Sequence, residues 1–166
     1  IGLGLKGKQL VRTIRDPQLG YRQGRWRGWG MKVSPQGILT PVCAGMRSPA
    51  GIGRNEAGDM FYTDQQGNWV ATNSLHHMRS GAFFHHPEAL ASMGLPGSPI
   101  KGIQAIPGGV PLPEAVKRLR HLKPPAVWFP YKKVGQSATD IVLDDSHGRF
   151  GPFDGQLFLG EFTLAS

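Results

Sequence analysis

Turn-forming residues recur along this chain at a spacing of about ten residues, and the runs between them are short and β-prone. Ser34-Pro35-Gln36-Gly37, Asn55-Glu56-Ala57-Gly58 and Gln66-Gly67-Asn68 are three of these breaks. Intervals this short leave no room for ordinary helices, so the chain is restricted to short strands joined as hairpins, an all-β sheet array. Trp29, Met31 and Val33 alternate as one face of a half-buried strand, and Ile38 to Ala44 makes the return strand. A second hairpin pairs Ala50–Arg54 with Met60–Asp64, and a further strand runs from about Ala71 to Met78. Later strands are expected at Ala126–Phe129, Ala138–Leu143 and Gln156–Thr163.

One segment departs from this rhythm. Over 113–122, Pro sits near the start, Glu114 in the first turn, and Val116, Leu119 and Leu122 are spaced for one face, which predicts a single short inserted helix. The Gly- and Pro-rich stretch from Gly81 to Pro111 is expected to be an ordered loop. With 24 Gly and 14 Pro among 166 residues the chain is rich in turns, yet long enough for one domain with a real core. Residues 1–22 are glycine-dotted and weakly patterned, an irregular entry segment ahead of a folded unit over 23–166. The chain opens on Ile1 without a signal-peptide pattern, so it is expected to be a piece of a longer protein with any export signal upstream. No apolar run approaches the ~18 residues of a membrane helix.

The lone cysteine, Cys43, permits neither an internal disulfide nor a Cys-based zinc cluster, and without C-x-x-C-H this segment attaches no c-type heme. It is expected to be a buried strand residue. The net charge of +8 is uneven: residues 1–32 hold eight Lys/Arg against Asp16, and residues 114–133 add a further excess. No nucleic-acid motif accompanies the charge, which is read as a solvated basic face; an affinity for anionic polymers is the competing reading. Gly2-x-Gly4-x-x-Gly7 lacks a preceding strand, and no P-loop or Ser-His-Asp order occurs.

Candidate chemistry concentrates in 47–87. A loop carrying Asp64, Gln65, Gln66 and Asn68 directly follows a strand, where a rigid sheet can present it. His76-His77 and His85-His86 suggest metal ligands, but adjacent strand residues face opposite ways, so each pair offers one His to a site. His86, before Pro87, is expected to be a fixed loop hydrogen-bonder. Asp140, Asp144, Asp145 and Asp154 read as turn and strand-end residues, and Trp69 and Trp128 as sheet-packing aromatics.

The strings GMRSPAGIG (45–53), GDMFYTDQQGNW (58–69), LHH (75–77), GAFFHHP (81–87), PAVWFPY (125–131), GQSATDI (135–141) and FGPFDGQLFLG (150–160) together resemble the soluble quinoprotein glucose/sorbosone dehydrogenase superfamily. The likeness is to its bacterial membrane-bound-dehydrogenase, heme-domain-associated branch, and covers about Trp26 to Thr163. It implies a six-bladed β-propeller, of which this chain would supply three to four blades as an open arc. It also implies an oxidoreductase that passes hydride from a sugar, alcohol or other polyol to pyrroloquinoline quinone (PQQ) beside Ca²⁺, in a secreted or periplasmic protein with a cytochrome c domain elsewhere. By the same resemblance, Arg47, Ser48 and Gln66 border the quinone, and the main-chain carbonyls of Gly67 and Asn68 hold the calcium ion. An always-charged fork suits a carboxylated quinone, and Ca²⁺ takes oxygen ligands. Ser48 stands where the family has Asn, Asn68 where it has Pro, and Thr163 where it has a cofactor-contacting Lys; the His base lies upstream. Arg47 reads equally as a structural Arg bonding loop carbonyls. A non-catalytic propeller that binds carbohydrate or a protein partner is therefore the alternative to the enzyme.

Overall fold

The computed structural model describes residues 24–66, 69–103 and 108–163. Eight strands follow in chain order: β1 (Trp29–Val33), β2 (Leu39–Ala44), β3 (Pro49–Arg54), β4 (Met60–Asp64), β5 (Asn73–His77), β6 (Val127–Phe129), β7 (Ala138–Leu143) and β8 (Leu157–Glu161). A 3-10 turn (Pro87–Ser92) and one helix, α1 (Leu112–Arg118), lie in the long β5–β6 connection. The strands form three antiparallel sheets: β1-β2, then β3-β4-β5-β6, then β7-β8. The all-β expectation holds, and among the described residues the sheets close into no barrel or ring. Among the described residues there are one four-stranded sheet and two hairpins, with no named strand between β5 and β6. Among the described residues no helix is long and apolar enough to cross a membrane.

The turns form for the reasons their residues suggest. Ser34 Oγ accepts the Gln36 and Ile38 amides at 3.2 and 3.1 Å, and Gly37 supplies the φ of +80° that closes the first hairpin. In the second, Asn55 Oδ1 accepts the Asp59 amide at 2.8 Å, the Asx pattern that reverses the chain between β3 and β4.

Strand β7 lies across the face of β3 at unusually close range. A Cβ on Gly51 would overlap the backbone of Thr139 and Asp140, and one on Gly53 would lie 2.7 Å from Ile141 Cγ2. Thr63 Oγ1 donates to the Thr139 carbonyl at 2.5 Å and accepts the Gly51 amide at 2.9 Å, tying the layers together. The glycines of β3 therefore permit a backbone-to-backbone approach that side chains would block.

The core has two parts. Trp29, Phe83, Ile100, Ala115 and Leu122 fill one, where Trp29 Nε1 donates to the Ala89 carbonyl at 2.8 Å. Cys43, Met46, Tyr62, Ala82 and Phe84 fill the other. Phe83 joins Ala44 on one side and Leu122 on the other by isolated parallel bridges, so the 81–87 segment is knitted into the sheets. That bridging also explains why α1 stops at Arg118 instead of reaching Leu122. Leu119 turns extended (φ −109°, ψ 100°), and the His121 carbonyl and Lys123 amide pair with Phe83 at 2.8 Å each. Tertiary pairing overrides the helical spacing of the last turn.

Candidate functional site

The end of the β3–β4 hairpin opposite its Asn55–Gly58 turn is organised by one carboxylate. Pro49 is the register partner of Asp64, so the segment entering β3 and the segment leaving β4 meet there. Asp64 Oδ2 accepts the Arg47 amide at 2.8 Å, and Oδ1 accepts the Ser48 amide at 2.7 Å and the Gln65 amide at 3.0 Å. Asp64 is fully buried. Burial pushes its carboxyl up to about 6, against the three N–H groups and the Arg47 charge, which favour the ionised form. Gln66 continues from this point, its amide on Asn73 Oδ1 at 3.0 Å, while Gln65 Nε2 reaches Ser137 Oγ at 3.2 Å. Arg47 and Gln66 are thus carried by segments that meet at Asp64, and Ser48 beside it is buried. Gly67 and Asn68 lie outside the described residues.

Behind this turn sits a layer of buried rings. Tyr62 stacks on His76 (centroids 4.9 Å, planes at 16°), and His76 packs against Phe84 and His85 at 4.7 and 5.3 Å. His76 Nε2 shares a 2.8 Å hydrogen bond with Ser74 Oγ. Burial holds both imidazoles neutral: His76 lies well below the ordinary histidine range. His85 is pushed down to about 3, with the nearby positive charges of His86 and Arg47 adding to the effect. Tyr62 Oη, Gln66 Oε1, Asn73 Nδ2, His76 Nδ1 and His85 Nε2 are buried without a hydrogen-bond partner among the described residues.

Alternation separates His76 from His77 as expected: His77 lies on the other face, stacked on Phe61 and 3.4 Å from Asp59. His85 and His86 are not separated in this way. Both are buried, because they occupy a loop whose two amides share the Gly45 carbonyl rather than a strand. Among the described residues no three His, Cys, Asp or Glu gather as a metal-binding group. Cys43 is the buried strand thiol expected, its pKa raised to about 12 by burial, which leaves it unreactive. Trp69 packs against the first core part, whereas Trp128 is 40% exposed on β6.

The anchoring of the Arg47–Ser48 turn by Asp64 is a residue role that sequence reasoning missed. A signal was present: Tyr62 and Asp64 share a strand face by the two-residue period, so a buried Tyr62 carries Asp64 inward with it. Comparison of the chain with protein-family models, curated proteins and solved structures gives no match.

Proposed function

We propose that the chain is part of a propeller-type, PQQ- and Ca²⁺-dependent sugar or alcohol dehydrogenase, with the quinone against the Arg47–Gln66 end of the β3–β4 hairpin. Within this reading β3-β4-β5-β6 is a complete blade, β1-β2 belongs to the preceding one and β7-β8 begins the next. Support for the blades comes from the strand order: four strands lie side by side in chain order, and the strand that follows packs against the first. The single observation carrying the functional reading is the convergence of the Arg47, Ser48 and Gln65 amides on Asp64, which brings both candidate cofactor segments to one point.

The half-buried Arg47 fits a quinone carboxylate, since its neighbours His85 and His86 have pKa values lowered by burial, and only Asp64 among the shifted groups opposes its charge. Asp64 is not available to calcium in the same way, because both its oxygens are engaged by main-chain donors. Calcium would instead rest on the carbonyls of Gly67 and Asn68, as the resemblance implies. PQQ, when bound, accepts the hydride from a substrate C–H; this chain's part is to hold the quinone through Arg47 and to keep the Arg47–Ser48 turn rigid through Asp64. The same reading places the protein outside the cytoplasm, handing electrons to a cytochrome domain. Calorimetric titration of the intact protein with PQQ and Ca²⁺ tests it: saturable heat at micromolar cofactor is expected, and none contradicts it.

The second reading is a non-catalytic propeller that binds carbohydrate or a protein partner. Ser48 at the family's Asn position is buried with its amide committed to Asp64, and Thr163 at the Lys position is exposed and uncharged. A glycan array probed with the intact protein separates the two; selective glycan binding without cofactor heat favours the scaffold.

A further inference from the structure

Strand β6 closes the four-stranded sheet, and among the described residues no strand pairs with its outer side. Lys123 stands ahead of it, its amide fixed on the Phe83 carbonyl at 2.8 Å. Lys132 and Lys133 follow it in a tight turn. There the Pro130 carbonyl accepts the Lys133 and Val134 amides at 3.1 and 2.9 Å, and Lys132 takes a φ of +62°. All three lysines are exposed, and among the described residues no carboxylate lies within ion-pair distance of any of them. The sequence from Ala115 to Thr139 contains neither Asp nor Glu. Between and beside the lysines, Val127, Trp128, Tyr131 and Val134 are exposed, the two aromatic residues at 40 and 39%. Pro and Lys ordinarily guard an edge strand against pairing with another chain, and Pro124, Pro125 and Pro130 with the lysines do so here. Guarding an edge does not call for exposed aromatic rings, which work against solubility. Trp128 and Tyr131 therefore need another reason.

We propose that the β6 edge binds an anionic polysaccharide, its carboxylates on Lys123, Lys132 and Lys133 and the C–H faces of its sugar rings against Trp128 and Tyr131. Charge complementarity selects the sign of the partner, since this edge offers cations with no competing carboxylate among the described residues. An acidic peptide is disfavoured, because it would bind an edge by adding a strand. The prolines flanking the three residues of β6 withhold main-chain donors from such a ladder. Single-stranded nucleic acid carries a charge at every nucleotide and is gripped along a positively charged groove. Here the cations instead stand at the two ends of an uncharged stretch holding Val127 and Trp128. A uronate polymer suits that arrangement, because its rings turn apolar C–H faces outward between the carboxylates. The proposal deepens the carbohydrate-binding reading above and rests on it for what the binding serves; the binding itself is measurable without cofactor.

The test is the affinity of the intact protein for immobilised polygalacturonate, measured over a range of salt concentrations. Binding should be saturable at low salt and at least tenfold tighter than to the methyl-esterified polymer, which keeps the rings and loses the charge. Lys132→Glu combined with Lys133→Glu should weaken it at least tenfold and flatten its salt dependence. Trp128→Ala should weaken it several-fold and leave the salt dependence as it was. These positions are exposed, so the variants should melt within a few degrees of wild type. Lys32→Glu combined with Arg54→Glu makes the same change in net charge on β1 and β3, away from β6, and should stay within about twofold of wild type. An equal loss in that control pair would trace the binding to net charge alone and overturn the proposal. So would equal affinity for the methyl ester, or tighter binding to oligothymidylate. Binding of neutral glycans with none to polygalacturonate would discard this surface and leave the carbohydrate-binding reading in place. Polygalacturonate binding that is lost in the Lys132 and Lys133 pair but kept in the control upholds the surface, with or without PQQ heat.

Discussion

Asp64 closes β4 with a carboxylate that three main-chain N–H groups share, and those donors belong to the two segments proposed to border the quinone. An Asn in its place presents an NH₂ to at least one of these donors. Asp64→Asn should therefore lower stability by about 2–3 kcal/mol, read as a shift in the urea midpoint with unchanged slope. The buried imidazoles give a pH signature. His85 has a folded pKa of about 3, well below its ordinary value, so its contribution is present above pH ~6.5 and is lost as pH falls toward 3. His76 acts in the same sense. Asp64, raised to about 6, acts oppositely: its folded form gains a proton more readily, which adds stability as pH falls from 6 toward 3.8. Two histidines outweigh one aspartate, so Tm should drop by several degrees between pH 7 and pH 5. His85→Phe, which keeps a ring against His76, should flatten that slope; an unchanged slope would mean that His85 titrates normally. The burial of His85 and His86 together was not legible in the sequence, since it depends on a loop fold that shares one carbonyl, Gly45, between two amides.

At the scale of elements, the hairpins were readable because their determinants are local. Ser34 to Gly37 and Asn55 to Gly58 carry their own hydrogen-bonding side chains and positive-φ glycines, so β1 to β4 fall within a residue or two of expectation. The end of α1 was not readable, because it is decided by Phe83, far away in sequence, pairing with His121 and Lys123. Nor was the β3–β7 contact, although it leaves a trace in the two glycines of Pro49–Arg54. Gly51→Ala should cost about 1–3 kcal/mol, since the new methyl meets backbone that cannot move aside. Gly94→Ala, where a Cβ meets nothing within 4 Å, should stay within about 0.5 kcal/mol of wild type. Equal effects in thermal melts of the two variants would mean that β7 does not lie where the structure puts it.

For the whole molecule, the alternation and turn spacing specify an all-β protein but not how its sheets are arranged around one another, because that arrangement depends on long-range packing. The blade reading gives sheet β7-β8 more strands than the two seen among the described residues. Its face carries Phe150, Phe153 and Phe158 in mutual ring contact and 67, 38 and 39% exposed, an apolar surface of the kind that packing normally covers. Hydrogen exchange on the intact protein should accordingly find the β8 amides protected on both edges; fast exchange along the edge away from β7 would count against a propeller. The functional claim has a more direct test, the affinity of the intact protein for PQQ in saturating Ca²⁺, compared between wild type and Arg47→Ala. The Arg47 amide, not its side chain, holds Asp64, so the variant keeps the turn and should melt within a few degrees of wild type. The account predicts saturable binding weakened at least tenfold by the substitution, and an unchanged affinity, or no binding to either protein, would contradict it.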